Sequence, residues 1–289
     1  MKIVIVGNRS MIAKRLRNHF DGLATVQMAG RNPEAEVRFD LEANYAFDER
    51  MGRADAIIHC AASFQGNEIE NATQNELVNA AGAFRVAQLA RDTQCAHLIY
   101  LSSTAIYDHP QNEYFGSYGL SKRHAQENLH WACRQLGIRF TALVVSQVYD
   151  EFGAARKHQP LFYRIVDTAR QGSDVTFHGK VDPERNLLFV GDLAEIVKRV
   201  IQLQVTGVHP AVHPQSHRLS EIAETAFQVF GNGGKVIFHK DKPDIPTIYI
   251  PASTDLYERI KYVPQTGLSA GIGLIKKNLS GECTQREHV

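Results

Sequence analysis

The sequence has no run of the ~18 uninterrupted apolar residues that a membrane-spanning helix needs, so no membrane partner is expected. It also lacks an excess of either charge: 32 Lys+Arg face 31 Asp+Glu, leaving a formal charge of +1. That balance offers no electrostatic footprint for DNA, RNA or an anionic lipid surface, and no nucleic-acid partner is expected. Cysteine is sparse. Cys60, Cys95, Cys133 and Cys283 form no CxxC pair and have no histidine at zinc-ligand spacing. A disulfide scaffold is excluded, and the 13 scattered histidines give no metal site. Cys60, in the apolar run AIIHCAA, reads as a small buried hydrophobe. The opening MKIVIVGN lacks the long apolar region and cleavage site of a signal peptide and reads as a strand. These absences set the expectation of a reduced, soluble, cytoplasmic protein. Low-complexity segments and internal repeats are missing too, and 44% hydrophobic with 22% charged residues excludes a disordered chain.

What is present is an alternation of short apolar runs with helical patterns. KIVIVG, ATVQMAG, AEVRFDL, ADAIIHCAA, AHLIYLSS and FTALVVS read as strands. SMIAKRLRNHF, ELVNAAGAFRVAQLARD and SKRHAQENLHWACRQLG read as helices between them. Unbroken apolar strands alternating with helices predict an α/β fold: a Rossmann-type doubly wound parallel sheet covered on both faces. Its site lies at the carboxyl ends of the strands. The periodicity loosens after residue 147. For 289 residues we expect a dinucleotide-binding domain over 1–147, to which 185–204 (RNLLFVGDLAEIVKRVIQL) returns, and a smaller C-terminal substrate lobe from 148–184 and 205–289.

The turn after the first strand reads Gly7-Asn8-Arg9-Ser10-Met11-Ile12-Ala13. A dinucleotide fold needs a glycine-rich turn here, because the pyrophosphate sits against backbone amides at the helix N-terminus. Small residues occupy positions 7, 10 and 13, but only the first is glycine. Taken alone, the turn is equally a structural one with Ser10 as N-cap. Tyr118-Gly119-Leu120-Ser121-Lys122 is sharper. A phenol and an ammonium at i and i+4 share a helix face. The ammonium is expected to lower the phenol's pKa from ~10 and make it a proton donor and acceptor for an alcohol/ketone interconversion. Upstream, LIYLSS ends at Ser102-Ser103, and the Ser103 hydroxyl is placed to hydrogen-bond a substrate oxygen beside Tyr118. A surface Tyr–Lys pair is the bland alternative; the preceding strand and the nucleotide-type turn favour the chemical one.

With these segments in order, the chain resembles the extended short-chain dehydrogenase/reductases, the NAD(P)-dependent sugar-nucleotide epimerase/dehydratase group. IIHCAAS is similar to the segment after the family's fourth strand, and ELVNAAGAFRVAQLA to its N-x-x-G helix, with Asn79 and Gly82 in place. YLSSTAIYD resembles SS-x-x-V-Y-G, and YGLSK is the Y-x-x-x-K motif. VVSQVYDEFG, RNLLFVGDLAEIV and KYVPQTGLSAGI resemble the three later signatures. The resemblance implies Tyr118 as general acid/base, Lys122 on the nicotinamide ribose, and Ser103 as the catalytic hydroxyl. It implies Gly7, Ser10, Met11 and Ile12 along the pyrophosphate, Asp40 and Leu41 at the adenine, Ala61 and Ala62 lining the cofactor, and Ser63 near the substrate. Gln147, where an Asn is usual, and Arg185, which matches an Arg often near the substrate diphosphate, are the further substrate-binding candidates. Asp150 replaces a family glycine. A homodimer through the N-x-x-G and Y-x-x-x-K helices is also implied.

Cofactor choice can be read at the end of the second strand, Met28-Ala29-Gly30-Arg31-Asn32. NAD enzymes place an acid there for the ribose 2′-OH. Arg31, helped by Arg9, instead suits a 2′-phosphate, so NADP is expected, with NAD possible. A solvated turn arginine is the alternative. The expected activity is reduction of a keto group on a nucleotide-activated 6-deoxysugar by an NAD(P)-dependent oxidoreductase. An epimerase with tightly held NAD, a reductase of a non-sugar carbonyl, and a non-catalytic NADP-binding regulator stay open. Thr104-Ala105 stand where dehydratases of the family carry an Asp-Glu pair, which argues against dehydration.

Overall fold

The computed structural model describes residues 1–251 and 254–281; Cys283 lies outside them. In chain order the elements are β1 (Lys2–Val6), α1 (Met11–His19), β2 (Thr25–Gly30), β3 (Val37–Arg38), β4 (Ala56–His59), α2 (Ile69–Asn75), α3 (Gly82–Asp92), β5 (His97–Ser103), α4 (Ser117–Leu136), β6 (Arg139–Val145), β7 (Gln147–Tyr149), α5 (Pro160–Arg170), β8 (Val175–His178), β9 (Glu184–Arg185), β10 (Leu187–Phe189), α6 (Val190–Gln202), β11 (Gly207–Ala211), β12 (His217–Arg218), α7 (Leu219–Phe230), β13 (Val236–His239), α8 (Asp255–Ile260) and α9 (Leu268–Leu279).

Two compact units share these elements. The first comprises Met1–Val145, Leu193–Ala211 and Ile248–Tyr262. Among the described residues its sheet has seven strands in the order β11-β6-β5-β4-β1-β2-β3, every pair parallel. The strand interiors are apolar because helices cover them: Ile3, Val4, Ile5, Ile57, Ile58, Leu98 and Ile99 are fully buried. Ala83, Val86, Ala87 and Ala90 of α3 and Ala125, Leu129, Ala132 and Cys133 of α4 join one core with Val4, Val6, Ile57, Leu98 and Tyr100 of the sheet. The chain order reverses between β1 and β4, and at such a switch point the two following loops diverge and leave a crevice.

Four local features depart from the sequence reading. AEVRFDL forms only the two-residue β3, although Phe39 N still donates to Gly30 O at 2.8 Å. ELVNAAGAFRVAQLARD is not one regular helix: Glu76–Ala81 is a π-helical turn between α2 and α3. β11 adds an edge strand beside β6; Pro210 within it is tolerated because an edge strand has one unpaired side. Cys60 is partly exposed rather than buried, while Cys95 and Cys133 are buried free thiols.

The second unit comprises Ser146–Asp192, Val212–Thr247 and the described residues from Val263 on. The segment returning to the sheet unit is therefore Leu193–Ala211 rather than 185–204. The difference arises because β10 pairs in parallel with β7 of the second unit, while β11 pairs with β6. Short pairings β8–β13 and β9–β12 flank the helices α5, α7 and α9. Asp150 explains its own departure from the family glycine. Its carboxylate accepts the backbone N–H groups of Phe152 (3.0 Å), Ala154 (3.0 Å) and Ala155 (2.8 Å) and the Tyr163 hydroxyl (2.7 Å). Among the described residues no helix is long and apolar enough to cross a membrane.

Candidate active site

The carboxyl ends of β1 and β4 meet at Gly7. Its φ is +108°, which strongly favours glycine, and a Cβ there would lie 2.7 Å from Ala61 N. Gly7 N donates to Ala29 O, Ser10 N to Gly7 O, and Cys60 N to Val6 O, each at 2.9 Å. The turn is thereby locked to both neighbouring strands. α1 starts at Met11 with Ser10 as N-cap; the Ser10 side chain makes no capping hydrogen bond, and no acid occupies the first turn. The first-turn amides of Met11 and Ile12 therefore present an uncompensated positive helix end beside a backbone-only cradle. These residues fit the diphosphate of a dinucleotide. Ala61 is half-buried and Ala62 exposed just beyond β4.

Around Arg31, Asp40 and Leu41 the geometry differs from the sequence reading. Leu41 is 7% exposed, and Asp40 Oδ1 accepts Glu42 N at 3.0 Å. Arg31 does not stand alone: Glu42 Oε2 accepts from its Nη1 at 2.5 Å, and Glu42 Oε1 accepts from Gln74 Nε2 at 2.5 Å. The strand-end motif lacks an acid, but the chain after β3 supplies one. No local pattern announces Glu42, because its contact with Arg31 spans eleven residues of chain that include β3.

The candidate catalytic residues lie where β5 ends and α4 begins. Ser103 closes β5 and caps the 3-10 turn Thr104–Ile106, accepting Ala105 N at 3.2 Å. α4 can approach that turn because residue 119 is glycine: a Cβ there would overlap the Ala105 carbonyl oxygen. The close approach brings the Tyr118 phenol beside Ser103, near enough for the serine hydroxyl to act on the phenol's pKa. Burial pushes the Tyr118 phenol up to about 12, and the neighbouring Ser103 hydroxyl opposes this only in part. The expected lowering by Lys122 is absent. Lys122 shares the helix face, but its ammonium turns to the Leu101 carbonyl (2.6 Å) and lies over the Tyr100 ring, 4.1 Å from its centroid. Lys122 is 3% exposed, and burial outweighs both contacts, lowering its pKa to about 7. Its charge in turn helps hold buried His59 near 3, after burial itself.

Ser63 is fixed by Asn79, which accepts Ser63 N (2.7 Å) and donates to Ser63 O (2.9 Å) and Ser121 Oγ (2.9 Å). Gln147 and Arg185 belong to the second unit. Gln147 Nε2 donates to Gln159 Oε1 at 2.8 Å, while its Oε1 is buried without a hydrogen-bond partner among the described residues. Arg185 is 2% exposed and donates to the carbonyls of Glu184 and Pro246, each at 2.8 Å, a structural use of its guanidinium. Phe64, Asn75 and Tyr100 escaped the sequence reading: a buried Asn and an exposed Phe carry no periodic signal.

A parallel sheet with a cofactor-type turn at its switch point and a Ser–Tyr pair at the next strand end defines a Rossmann-type dinucleotide enzyme. The comparisons agree: the NAD dependent epimerase/dehydratase family model matches residues 3–213, and the chain belongs to that family. A Methanocaldococcus jannaschii protein provisionally named UDP-glucose 4-epimerase is 24% identical over 283 residues, covering 91% of each chain. GDP-L-fucose synthase of Escherichia coli K12 is 23% identical over 285 residues, covering 84% of this chain and 85% of that one. UDP-N-acetylglucosamine 4-epimerase from Bacillus cereus superimposes with a TM-score of 0.79 at 19% identity, covering 97% of both chains. UDP-glucose 4-epimerase from Thermus thermophilus, solved with NAD, gives 0.76 at 16% identity, covering 97% of this chain and 99% of that one.

Proposed function

We propose that the protein is an NADP-dependent reductase of a keto group on a nucleotide-activated 6-deoxysugar, with Ser103, Tyr118 and Lys122 as its reaction centre. The observation that carries this reading is the proximity of the Tyr118 phenol to the Ser103 hydroxyl, with burial holding the phenol protonated at neutral pH. Reduction of a carbonyl begins with a protonated donor, which burial of Tyr118 favours; oxidation of a sugar alcohol would need the phenolate first. Tyr118 donates its proton to the substrate oxygen, and Ser103 holds that oxygen. Lys122 is assigned to the nicotinamide ribose. Gly7, Ser10, Met11 and Ile12 are assigned to the pyrophosphate, Asp40 and Leu41 to the adenine, and Ala61 and Ala62 to the cofactor wall. Arg31 is assigned to a 2′-phosphate. The bound dinucleotide supplies the hydride. Ser63, and on the second unit Gln147 and Arg185, are the substrate-side candidates; Arg185 must exchange a carbonyl partner to serve.

One observation favours a second reading, an epimerase retaining NAD: Glu42 already pairs with Arg31, where a 2′-phosphate would have to displace it. We further propose a homodimer through α3 and α4, supported by exposed Leu77 (52%), Phe84 (41%) and Trp131 (58%), the last two in edge-to-face contact at 6.2 Å. The test is a thermal-shift panel of NAD(H), NADP(H) and UDP-, dTDP-, GDP- and CDP-sugars, since a ligand of the native state raises Tm. Stabilisation by NADPH above NADH, followed by NADPH consumption with a keto-sugar nucleotide, supports the reductase. Interconversion of sugar nucleotides without net cofactor consumption overturns it in favour of the epimerase.

A further inference from the structure

The loop after β4 carries a large aromatic at an unexpected place. Phe64 is 63% exposed, yet its ring meets Tyr118 edge to face, with centroids 4.7 Å apart and planes at 80°. Such a residue on an irregular loop would be expected to wander, but its backbone is held on both sides. Asn79 takes both the N–H and the carbonyl of Ser63, as described above. Asn75 does the same for the other neighbour: its Oδ1 accepts Gln65 N at 3.1 Å, and its Nδ2 lies 3.4 Å from Gln65 O. Asn75 Nδ2 also donates to Ser117 Oγ at 3.0 Å, and Ser117 Oγ donates to Gly66 O at 2.8 Å. Ser117 N donates to Asn67 Oδ1 at 3.0 Å.

Both asparagines are buried, Asn75 at 0% and Asn79 at 2% exposure. Asn75 closes α2 and Asn79 sits in the π-helical turn that follows. Buried side-chain amides that exchange donor and acceptor with the N–H and C=O of one residue fix its position and orientation, because leaving either group unmade is costly. The hydroxyls they also engage, Ser117 and Ser121, flank Tyr118 on α4. One device therefore registers the loop carrying Phe64 to the helix carrying Tyr118.

We propose that Phe64 is a positioning residue for Tyr118: presented by the Asn75–Asn79 clamp, its ring confines the phenol to its place beside Ser103 and shields it from water. This rests on the acid/base reading of Tyr118. An edge-to-face neighbour restricts ring rotation at little entropic cost to itself, because the loop is already fixed. It also removes solvent from one side of the phenol, which favours the neutral form. The other groups facing this region are Tyr100 from β5, Ser103, and Lys122 on α4, the last facing His59 and Cys60 at the end of β4. Phe64 is the member of the surround that can be removed from the surface without opening the buried core.

The test does not need the substrate. N-acetylimidazole acetylates accessible phenols; peptide mass spectrometry at pH 8 gives the Tyr118 rate relative to exposed Tyr114 in the same protein. Phe64→Ala is expected to raise that ratio about threefold or more, and Phe64→Tyr to leave it near wild type, because the ring is kept. An unchanged ratio in Phe64→Ala overturns the proposal. A kinetic readout then separates positioning from cover. In Phe64→Ala, kcat is expected to fall about threefold to tenfold. The alkaline limb of its pH profile should also move down by roughly one pH unit; an unmoved limb counts against the proposal. Tyr118→Phe separates the two readings. If it keeps turnover, the acid/base role fails whatever the acetylation ratio shows. If it is inactive while Phe64→Ala matches wild type in both readouts, only the positioning role fails.

Discussion

Replacing Lys122 with methionine tests the balance of forces at the reaction centre. The side chains are similar in length, but methionine carries no proton to lose. In the fold the ammonium is buried at 3% exposure, with one carbonyl at 2.6 Å and one aromatic face for compensation. Its pKa falls from 10.5 to about 7. The unfolded chain therefore binds more protons than the folded chain between those values, and this group makes wild-type stability rise with pH across that window. The destabilisation is complete below pH 7 and is relieved as pH rises towards 10.5. At 1.36 kcal/mol per unit the full effect is roughly 4–5 kcal/mol, of which about 3 kcal/mol lies between pH 7 and pH 9.5. Urea unfolding of both proteins at those two pH values isolates it, because every other titrating group is common to both. Lys122→Met should be the more stable protein at pH 7, by an amount that shrinks by about 3 kcal/mol at pH 9.5. Parallel pH dependence in the two proteins would refute the claim that burial wins over the Leu101 and Tyr100 contacts.

Three other outcomes follow from single contacts. Gly119→Ala drives a methyl into the Ala105 carbonyl oxygen, so α4 must retreat and separate Tyr118 from Ser103; kcat should drop at least tenfold with the cofactor Kd within about twofold, measured by steady-state kinetics and calorimetry. Arg31→Ala should weaken NADPH about tenfold or more and NADH little, while Glu42→Gln, by releasing Arg31, should strengthen NADPH a few-fold; equal losses for both cofactors would refute the 2′-phosphate assignment. Trp131→Glu buries a charge in the proposed α3/α4 interface and should convert a dimer to a monomer in analytical ultracentrifugation; a wild-type monomer would refute that interface.

How much could be read from residues alone depends on whether their determinants are local. β1, β4, β5 and β6 are mainly apolar and largely buried, so their pattern and their membership of a parallel sheet were legible. The places of Ser103 at a strand end and Tyr118 at a helix start were legible because they are motif positions. β11 was not: it is short, contains Pro210, and forms only because β6 offers it an edge. The direction of the Lys122 side chain was not legible either, since i, i+4 spacing names a face but not which carbonyl the ammonium chooses. Glu42 and Asn75 act across 11 and 10 residues of chain through loop geometry, which no periodicity encodes.

The acid/base assignment of Tyr118 is tested most directly by Tyr118→Phe, which removes one oxygen and leaves the ring packed against Phe64. With NADPH and a keto-sugar nucleotide, the variant should lose turnover by about a thousandfold or more while binding cofactor with unchanged Kd. Turnover within tenfold of wild type would contradict the account.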